Sequence, residues 1–323
     1  MLAETLRILN FDDSVTRQRN LLRRVDPVIV DLTHLGPVCR ISMDGAAAKA
    51  IRRALKPELR SAVTFVGSGD FHHVSSLLIE QFEEPISVIV FDHHPDWDTL
   101  PPKLHCGSWV TEALRRRNVK KLILLGVSSE DISSPWIQTG NLRAFEGDRV
   151  ELYPYAHRPT KIFLRHVPDN RCARVTKTFL SSTIHWQELG QQNMTAFVGS
   201  VLDRLEPKQV YVSIDKDCLR VQDSLTNWEE GRFSLEEFLP LLRLIDERLE
   251  IVGLDIVGDY SPPVVKGWLK AALARIDRPR DYSARGKPES SITAVNEGTN
   301  LKILDVLTRQ SVPAPEPRRA TRP

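Results

Sequence analysis

One short stretch of the chain concentrates the residue types that bind metal ions. The stretch is Asp92-His-His-Pro-Asp-Trp-Asp98, and it directly follows the apolar run Ser87-Val-Ile-Val-Phe91. Asp92, His94 and Asp96 are spaced by two, so in an extended chain their side chains project from one face. Carboxylate oxygens together with an imidazole suit Mn²⁺, Zn²⁺ or Fe²⁺ better than a metal that prefers thiolates. The pattern therefore predicts a divalent metal site rather than an ordinary polar turn.

Two further clusters offer the same kinds of ligand atom. Asp215 and Asp217 flank a single lysine after an apolar run, and two buried carboxylates repel each other unless a cation lies between them. A glycine-rich turn, Gly67-Ser-Gly-Asp-Phe-His-His73, joins a predicted strand to a predicted helix. It places His72 or His73 at the start of that helix. Both clusters are candidates for the same metal site.

Four other residues near these clusters have less specific signals. His105 lies a short distance beyond the first cluster, where a lone histidine is usually an ordinary loop residue. Lys216 lies between the two carboxylates, and strand alternation points it to the opposite face, where an ion pair is expected. Trp97 and Trp109 flank the predicted pocket, although tryptophan is more often a core residue.

The elements that must position these clusters follow from the apolar pattern. Short β-branched runs alternate with amphipathic segments, which is typical of a mainly parallel sheet with helices on both sides. The predicted strands cover residues 6–10, 28–32, 62–66, 87–91, 121–127, 210–214 and 251–257. The predicted helices cover residues 74–82, 108–117, 195–205, 235–249 and 264–276. In such a sheet ligands bind at the carboxyl ends of the strands, and the polar clusters follow strands.

The rest of the chain is predicted to be less regular. Residues 132–192 mix short β-like pieces with proline and glycine breaks and are expected to leave the main sheet. Residues 278–288 read as a polar loop. The end, residues 311–323, carries four prolines and three arginines with few apolar side chains, and we expect a disordered tail after a single domain over residues 1–310.

Composition excludes several classes of protein. The 323 residues are 41% hydrophobic and 27% charged, and the net charge is only +2. This balance argues against a dedicated nucleic-acid or membrane-surface protein, whose affinity would come from a field of one sign. We see neither a secretory signal nor an apolar run long enough to span a membrane. The four cysteines are far apart, which favours reduced thiols and a cytoplasmic location.

In their order along the chain, these motifs resemble those of the arginase/agmatinase (ureohydrolase) superfamily. The glycine-rich turn looks like the family's GGDHS turn with two extra residues, and Asp92-His-His-Pro-Asp96 matches the spacing of its DAHxD motif. Ser213-Ile-Asp-Lys-Asp217 matches the start of SxDxDxxDP, and Gly253-Leu-Asp-Ile-Val257 lies where the late element begins. The resemblance runs from about residue 60 to 263. It implies a three-layer α/β/α fold with a mainly parallel central sheet.

The resemblance also implies a metal centre and a reaction. Two divalent ions are expected, Mn²⁺ first among them, with other divalent metals allowed. The implied ligands are Asp92 and Asp215 bridging, His72 or His73 with Asp96 on one ion, and His94 with Asp217 on the other. A hydroxide held between the ions would attack the planar carbon of a guanidino, amidino or related small substrate. The expected catalytic residues are Asp96 and His105, the latter delivering a proton to the departing nitrogen.

The chain departs from the family pattern where the substrate would bind. The family's late glutamate, which holds the guanidinium group, aligns with Gly258, and Asp259 is next to it. Arg220-Val221 replaces the Asp-Pro that usually closes the third motif. We expect Asp259 and Trp97 to contribute to substrate binding. The resemblance therefore implies a metal site in this chain, but it does not imply specificity for a guanidino substrate.

Three alternative functions remain open from the sequence. A deacetylase-like amide hydrolase shares this type of fold and uses one metal, with Tyr260 as an electrophilic donor. The string Val88-Ile-Val-Phe-Asp-His-His94 resembles the DHH motif of Mn²⁺ phosphoesterases, although there the D-x-D element precedes it. A third alternative is a catalytically silent binding protein on the same scaffold. The expected partner is a small molecule, with no nucleic acid and no membrane, and self-association is left open because ureohydrolases usually assemble.

Overall fold

A single parallel sheet of eight strands forms the centre of the protein. The computed structural model describes residues 5–101, 104–264 and 288–308. Its strands are β1 (Leu6–Asn10), β2 (Val28–Asp31), β3 (Val63–Gly67), β4 (Ile86–Phe91), β5 (Val119–Leu125), β6 (Val150–Tyr153), β7 (Thr160–Phe163), β8 (Ala173–Lys177), β9 (Ser181–Trp186), β10 (Gln209–Asp215) and β11 (Glu250–Val257). The central sheet has the order β2-β1-β3-β11-β10-β4-β5-β6, and each pairing in it is parallel.

Helices flank this sheet. They are α1 (Arg19–Val25), α2 (Gly36–Cys39), α3 (Gly45–Ala54), α4 (Ser75–Ile79), α5 (Trp109–Leu114), α6 (Leu142–Glu146), α7 (Met194–Asp203), α8 (Leu235–Arg248) and α9 (Glu289–Thr308). Helices α7, α8, α9 and α1 contact one another in that order, and α4 contacts α5. The arrangement confirms the predicted α/β class with a mainly parallel central sheet.

The inner strands are apolar because both faces of the sheet are covered. Every residue of β3 and β4 is buried, as expected for a parallel strand between two layers. All seven predicted strands are present, with ends that differ by at most two residues from the prediction. Burial on both faces produces the near-continuous apolar runs that made these strands recognisable in the sequence.

The strand order brings the polar clusters together. Strands β3, β11, β10 and β4 are neighbours in the sheet, and each is followed by one of the motif segments. Because these strands are parallel, their carboxyl ends meet at one edge. Short 3₁₀ turns continue the chain after two of them, at Gly69–Val74 and at Lys216–Cys218. Residues far apart in the sequence are therefore adjacent at this edge.

The predicted irregular region contains more structure than its pattern indicated. Strand β6 belongs to the central sheet, and β7, β9 and β8 form a separate antiparallel sheet in that order. The helix predicted over residues 264–276 and the loop over 278–288 lie almost wholly outside the described residues, and the predicted tail over 311–323 lies wholly outside them. The single-domain boundary at residue 310 stays a prediction.

A helix that crosses a bilayer must be both long and apolar. Within residues 5–101, 104–264 and 288–308, none of them meets both requirements for crossing a membrane.

Candidate metal centre

His72 lies at the middle of a buried group of carboxylates. Its Nδ1 atom is 3.2 Å from Asp92 Oδ2, 3.1 Å from Asp96 Oδ2 and 3.4 Å from Asp215 Oδ2. All four side chains are almost completely buried. These residues come from three different strand ends, so the group exists only because β3, β4 and β10 lie close together in the sheet.

The turn after β3 selects His72 rather than His73 for this group. The 3₁₀ turn Gly69–Val74 begins directly beside Asp215, where a Cβ atom on Gly69 would lie only 2.8 Å from Asp215 Oδ2. The glycine allows this close approach, and the turn then directs His72 towards the carboxylates. His73 is buried as well, but it belongs to none of the candidate ligand groups found among the described residues.

A second group of ligand atoms shares Asp92 with the first. His94 Nδ1 is 3.0 Å from Asp217 Oδ2 and 3.7 Å from Asp92 Oδ1. Backbone amides fix both carboxylates, since the amide of His94 donates to Asp92 Oδ1 and that of His93 donates to Asp217 Oδ1. The amide of Asp217 in turn donates to Asp215 Oδ1. The carboxylates are therefore oriented before any ion binds.

Hydrogen bonds behind His72 define which of its nitrogens carries the proton. Three hydroxyl groups, those of Ser75, Ser213 and Tyr211, donate to Asp255. Because Ser213 gives its proton to Asp255, it accepts a hydrogen bond from His72 Nε2, 2.9 Å away. In the neutral form of His72 the lone pair is then on Nδ1, which faces the carboxylates and would be available to a metal ion, with Asp255 supporting the ring from behind. Burial lowers the pKa of this imidazole, but Asp92 and Asp96 raise it more, so that without a cation it lies well above its ordinary value.

The donor set fits divalent cations. Buried His72 Nδ1 and Asp92 Oδ2 have no hydrogen-bond partner, although they face each other. Burial, together with the charge of Asp217, raises the pKa of Asp215 well above its ordinary value. Burial and the nearby Asp92 raise the pKa of Asp96 to about 7. These side chains are therefore short of positive charge, and four carboxylates with two imidazoles suit two divalent ions.

Asp96 is held in place by a tryptophan from the next helix. Its φ angle is +46°, in the left-handed region that residues other than glycine seldom adopt. Trp109 Nε1 donates a 2.7 Å hydrogen bond to Asp96 Oδ2, and the Trp109 ring lies 4.7 Å from the ring of His72. Trp109 is fully buried, so it supports the cluster rather than shaping an open pocket.

The cluster forms the floor of a cavity with a volume of about 820 Å³. Among the described residues, its lining contains two histidines and eight carboxylates but neither lysine nor arginine. The carboxylates are Asp92, Asp96, Asp98, Glu130, Asp131, Asp215, Asp217 and Glu229. A cavity with this lining favours positively charged ligands over anions. Two tryptophans, Trp136 and Trp228, also line the cavity and provide apolar surface.

His105 lies in the wall of this cavity, as the sequence predicted. Burial lowers the pKa of its imidazole, and the negative charge of Asp98 partly opposes that shift. The net lowering favours the neutral ring near pH 7. A neutral histidine beside the cluster can accept a proton and return it.

Two predicted substrate-binding residues are not brought to the cavity. Asp259 is buried behind the cluster, where its Oδ1 atom accepts hydrogen bonds from Lys216 Nζ at 2.8 Å and from Gln18 Nε2 at 2.7 Å. Trp97 is buried as well, and its indole packs against Gly140. Neither belongs to the described lining. The ion pair expected for Lys216, by contrast, is present.

The backbone at Gly258 leaves no room for a side chain. Its φ angle is +93°, and a Cβ atom there would lie 2.6 Å from Asp215 Oδ1 and 2.8 Å from the backbone nitrogen of Lys216. A glutamate at this position would therefore collide with a residue of the metal cluster. Tyr260, two residues on, packs with Leu225 and Ile292 and is not among the cavity-lining residues described.

Several cavity residues were not identified from the sequence. Trp228 and Glu229 belong to the loop between β10 and α8, and Glu130 and Asp131 follow β5. None of them belongs to a motif with regular spacing, because it is the conformation of each loop that brings these residues to the cavity. The available signal was their position after a strand of a parallel sheet, which is the ligand-binding edge.

The chain is similar to known proteins in both sequence and fold. The model of the arginase family matches residues 31–274. An uncharacterized protein from Thermotoga maritima is 28% identical over 200 residues, a match that spans 62% of this chain and 59% of that protein. The arginase from Bacillus subtilis has a TM-score of 0.55 at 12% identity, covering 93% of this chain and 98% of the arginase.

Two further solved structures are similar. The formimidoylglutamase from Bacillus subtilis has a TM-score of 0.53 at 13% identity, covering 93% of this chain and 87% of that one. A formiminoglutamase from Trypanosoma cruzi, solved with Mn²⁺, has a TM-score of 0.53 at 13% identity and 94% coverage of both chains. At identities of 12–13%, these solved structures show a similarity of fold only. The match to the family model covers residues 31–274, which is most of the chain.

Proposed function

The chain belongs to the arginase family, and from this premise we propose that it is a metal-dependent hydrolase. Its substrate is a small cationic guanidino or amidino compound, and the bond that it cleaves is a carbon–nitrogen bond. The observation that carries this proposal is the cavity: its floor is a cluster of candidate metal ligands, and its described lining has eight carboxylates without a lysine or arginine.

Two divalent ions, Mn²⁺ by family relationship, are the proposed cofactors. His72 and Asp96 would hold one ion, His94 and Asp217 the other, and Asp92 and Asp215 would contact both. When bound, such ions supply the positive charge that activates a water molecule and polarises the group under attack. The amides that hold Asp92 and Asp217 would preserve the geometry of the cluster through the reaction.

The protein's own residues would position the substrate and move a proton. The carboxylates that line the cavity attract the cationic group of the substrate. His105, neutral near pH 7 because burial lowers its pKa, would accept a proton from the attacking water and pass it to the departing nitrogen. Collapse of the tetrahedral carbon then breaks the carbon–nitrogen bond and releases a neutral amine or ammonia.

A substrate screen tests this function. The full-length protein is reconstituted with Mn²⁺ and offered guanidino compounds, amidines and acetylated amines, and release of urea, ammonia and acetate is measured. We expect nitrogen-containing products from a guanidino or amidino compound. Removal of the metal with a chelator should abolish the activity, and renewed Mn²⁺ should restore it.

The other outcomes of the screen distinguish the alternatives. Acetate release without urea or ammonia would indicate a deacetylase-like hydrolase. Hydrolysis of a phosphodiester, with none of the carbon–nitrogen substrates cleaved, would indicate a phosphoesterase. A protein that binds metal and small cations yet cleaves no substrate would be a binding protein on the arginase scaffold.

A further inference from the structure

Residues 40–43 lie between two parts of the candidate site. On one side they contact the turn that carries His72, and on the other side they contact the loop that carries His105. In the proposed function His72 binds a metal ion and His105 moves a proton, so the placement of these two side chains relative to each other affects the reaction. The contacts of residues 40–43 show how the two segments are held together.

Ile41 is hydrogen-bonded to both segments through its backbone. Its amide donates to the carbonyl of Asp70, which lies shortly before His72, at 2.9 Å. Its carbonyl accepts from the amide of Cys106, the residue that follows His105, at 2.8 Å. One residue therefore links the turn of the metal cluster to the loop of the proposed proton carrier.

The next two residues extend the contact with the His105 loop. Ser42 and His105 form an antiparallel bridge, and the amide of Met43 donates to the carbonyl of Leu104 at 3.1 Å. The loop around His105 is therefore paired with residues 41–43 along its backbone.

Arg40 fixes the other side of the segment. Its guanidinium is buried and donates to Asp70 Oδ2 at 2.5 Å and to Ser261 Oγ at 2.7 Å. The ion pair with Asp70 attaches the segment to the turn that directs His72 towards the carboxylates. This side of the link is consequently held by side chains as well as by the backbone.

The backbone of Ile41 is strained. Its φ angle is +71°, and among the described residues other than glycine with positive φ it is the only β-branched one. Strain of this kind persists where the surrounding contacts fix the backbone, and it clusters at functional sites. Ile41 also lines the cavity, so the strained position coincides with the candidate site.

The isoleucine side chain limits what this backbone can do. A glycine would adopt the same φ angle without strain, but it would also allow many other conformations. The larger side chain, partly buried at the wall of the cavity, excludes most of them. The segment is therefore rigid between its two sets of contacts.

We propose that Ile41 is a positioning residue that holds the loop of His105 against the turn of the metal cluster. It acts through His105 and not through the reacting atoms. This inference rests on the proposed function for the role of His105 in proton transfer. It predicts that the identity of residue 41 affects kcat more than it affects KM.

Amide hydrogen exchange tests this role without requiring turnover. Exchange of the Mn²⁺-loaded full-length protein is followed by mass spectrometry in the peptide that covers residues 104–108. Ile41→Gly should speed exchange there by about tenfold or more, because the carbonyl that accepts from the Cys106 amide is no longer held in place. The buried strand β5 is the internal reference, and its exchange should stay within about twofold of the wild type.

Leu164→Gly is the matched control. Leu164 also has a positive φ angle, +55°, but its side chain is 84% exposed and is not among the described lining residues. This substitution should leave exchange over residues 104–108 as in the wild type. Ile41→Val keeps a β-branched side chain and should retain the slow exchange that Ile41→Gly loses.

Steady-state kinetics show whether the effect passes through His105. At saturating Mn²⁺, with bound metal measured for each variant, Ile41→Gly should lower kcat by about tenfold or more and change KM by less than about twofold. In a His105→Ala background the same substitution should change kcat by less than about twofold, because the side chain that it positions is absent. A general structural defect would lower kcat equally in both backgrounds.

The results separate this inference from the proposed function. Unchanged exchange over residues 104–108 in Ile41→Gly, or equally fast exchange in Leu164→Gly, overturns the role of Ile41. An equal loss of kcat with and without His105, or no loss at all, overturns it as well. A protein that cleaves no carbon–nitrogen substrate contradicts the proposed function, and the exchange measurement then decides whether Ile41 holds the loop.

Discussion

At the scale of single residues, the candidate centre is built from ligands whose orientation is fixed by neighbours outside the cluster. Asp92 and Asp217 are held by the backbone amides of His94 and His93, and His72 is held through Ser213. These backbone contacts do not depend on the metal. We therefore expect that a candidate ligand can be substituted, and the metal lost, while the protein stays folded.

Asp92 is the best single position at which to test the metal centre. It lies in both ligand groups, so Asp92→Ala should abolish metal-dependent activity and greatly reduce bound Mn²⁺ while the protein stays folded. Metal content by mass spectrometry and circular dichroism of the same sample check this result. Asp217→Asn should also abolish activity with the fold intact. A folded Asp92→Ala protein with full metal content and activity would contradict the proposed centre.

His105 should determine the acid limb of the pH profile of kcat. Because burial lowers its pKa, the ring becomes protonated only at a pH below the ordinary value of 6.5, and activity should persist down to that point. Asp98→Asn removes a charge that raises this pKa, so the acid limb of kcat should move to still lower pH. His105→Ala should remove the limb and reduce kcat by roughly 10²–10⁴-fold. An acid limb that neither substitution moves would exclude His105 as the proton carrier.

Asp259 should affect stability rather than substrate affinity. Its partner Lys216 is completely buried, so Asp259→Ala would leave an unpaired charge in the interior, a loss of about 3–5 kcal/mol in the free energy of unfolding. Urea denaturation measures this change. A variant of normal stability with a raised KM would instead agree with the substrate-binding role that the sequence suggested.

At the scale of elements, the start of α8 shows how local sequence defines structure. Ser234 and Glu237 form a reciprocal capping box, in which each side chain accepts from the backbone amide of the other. The pattern was recognisable in the sequence, and the helix begins at the predicted residue, Leu235.

Removal of this cap should destabilise the protein modestly. Ser234→Ala takes away the acceptor for the Glu237 amide and should cost about 1 kcal/mol of unfolding free energy, read from the midpoint of a urea transition. Glu236→Gln, in the same turn but outside the capping box, serves as the matched control. A loss in the control as large as that in Ser234→Ala would mean that charge at the helix start matters more than the cap.

Strands were more predictable than helices for a physical reason. A parallel strand covered on both faces must be apolar throughout, and that run is visible in the sequence. Helix α9 has no such signature, since it buries Asn296, Glu297 and Asn300 along with its apolar residues. Helix α3 was also not predicted, although its apolar residues lie on one face, and neither was the antiparallel pairing of β7, β8 and β9. Their positions depend on contacts with distant parts of the chain.

The candidate site was predictable only where a motif follows a strand. The spacing around Asp92 and Asp215 indicated their convergence, because alternation in an extended chain is a local property. The choice between His72 and His73 was not local, since it depends on a turn that packs against Asp215 from another strand. Glu229 and Trp228 reach the cavity through hydrogen bonds of Asn227 to Ser68 and Ser261, which no spacing rule encodes.

At the scale of the whole molecule, the candidate metal centre connects distant parts of the chain. Its candidate ligands come from the ends of β4 and β10 and from the turn after β3, so an ion bound by them would link three segments that are far apart in the sequence. Behind the cluster, Asp259 is contacted by Gln18 from the beginning of the chain and by Asn300 from α9. Occupation of the centre should therefore influence global stability.

Thermal unfolding checks this coupling. Mn²⁺ at about 100 times its dissociation constant should add about 2.7 kcal/mol to the free energy of unfolding, and a chelator should remove the gain. The melting temperature is compared with and without metal in the wild type and in Asp92→Ala. The variant should show no metal-dependent increase. An equal increase in both proteins would indicate that Mn²⁺ binds elsewhere.

The glycine at position 258 also has a consequence for redesign of the protein. Any other residue there would meet both an unfavourable backbone angle and the carboxylate of Asp215. A glutamate introduced at this position would therefore displace Asp215 before it could improve recognition of a substrate. Attempts to redesign the substrate preference should leave position 258 unchanged and vary the loops that line the cavity, for example at Glu130, Asp131 and Trp136.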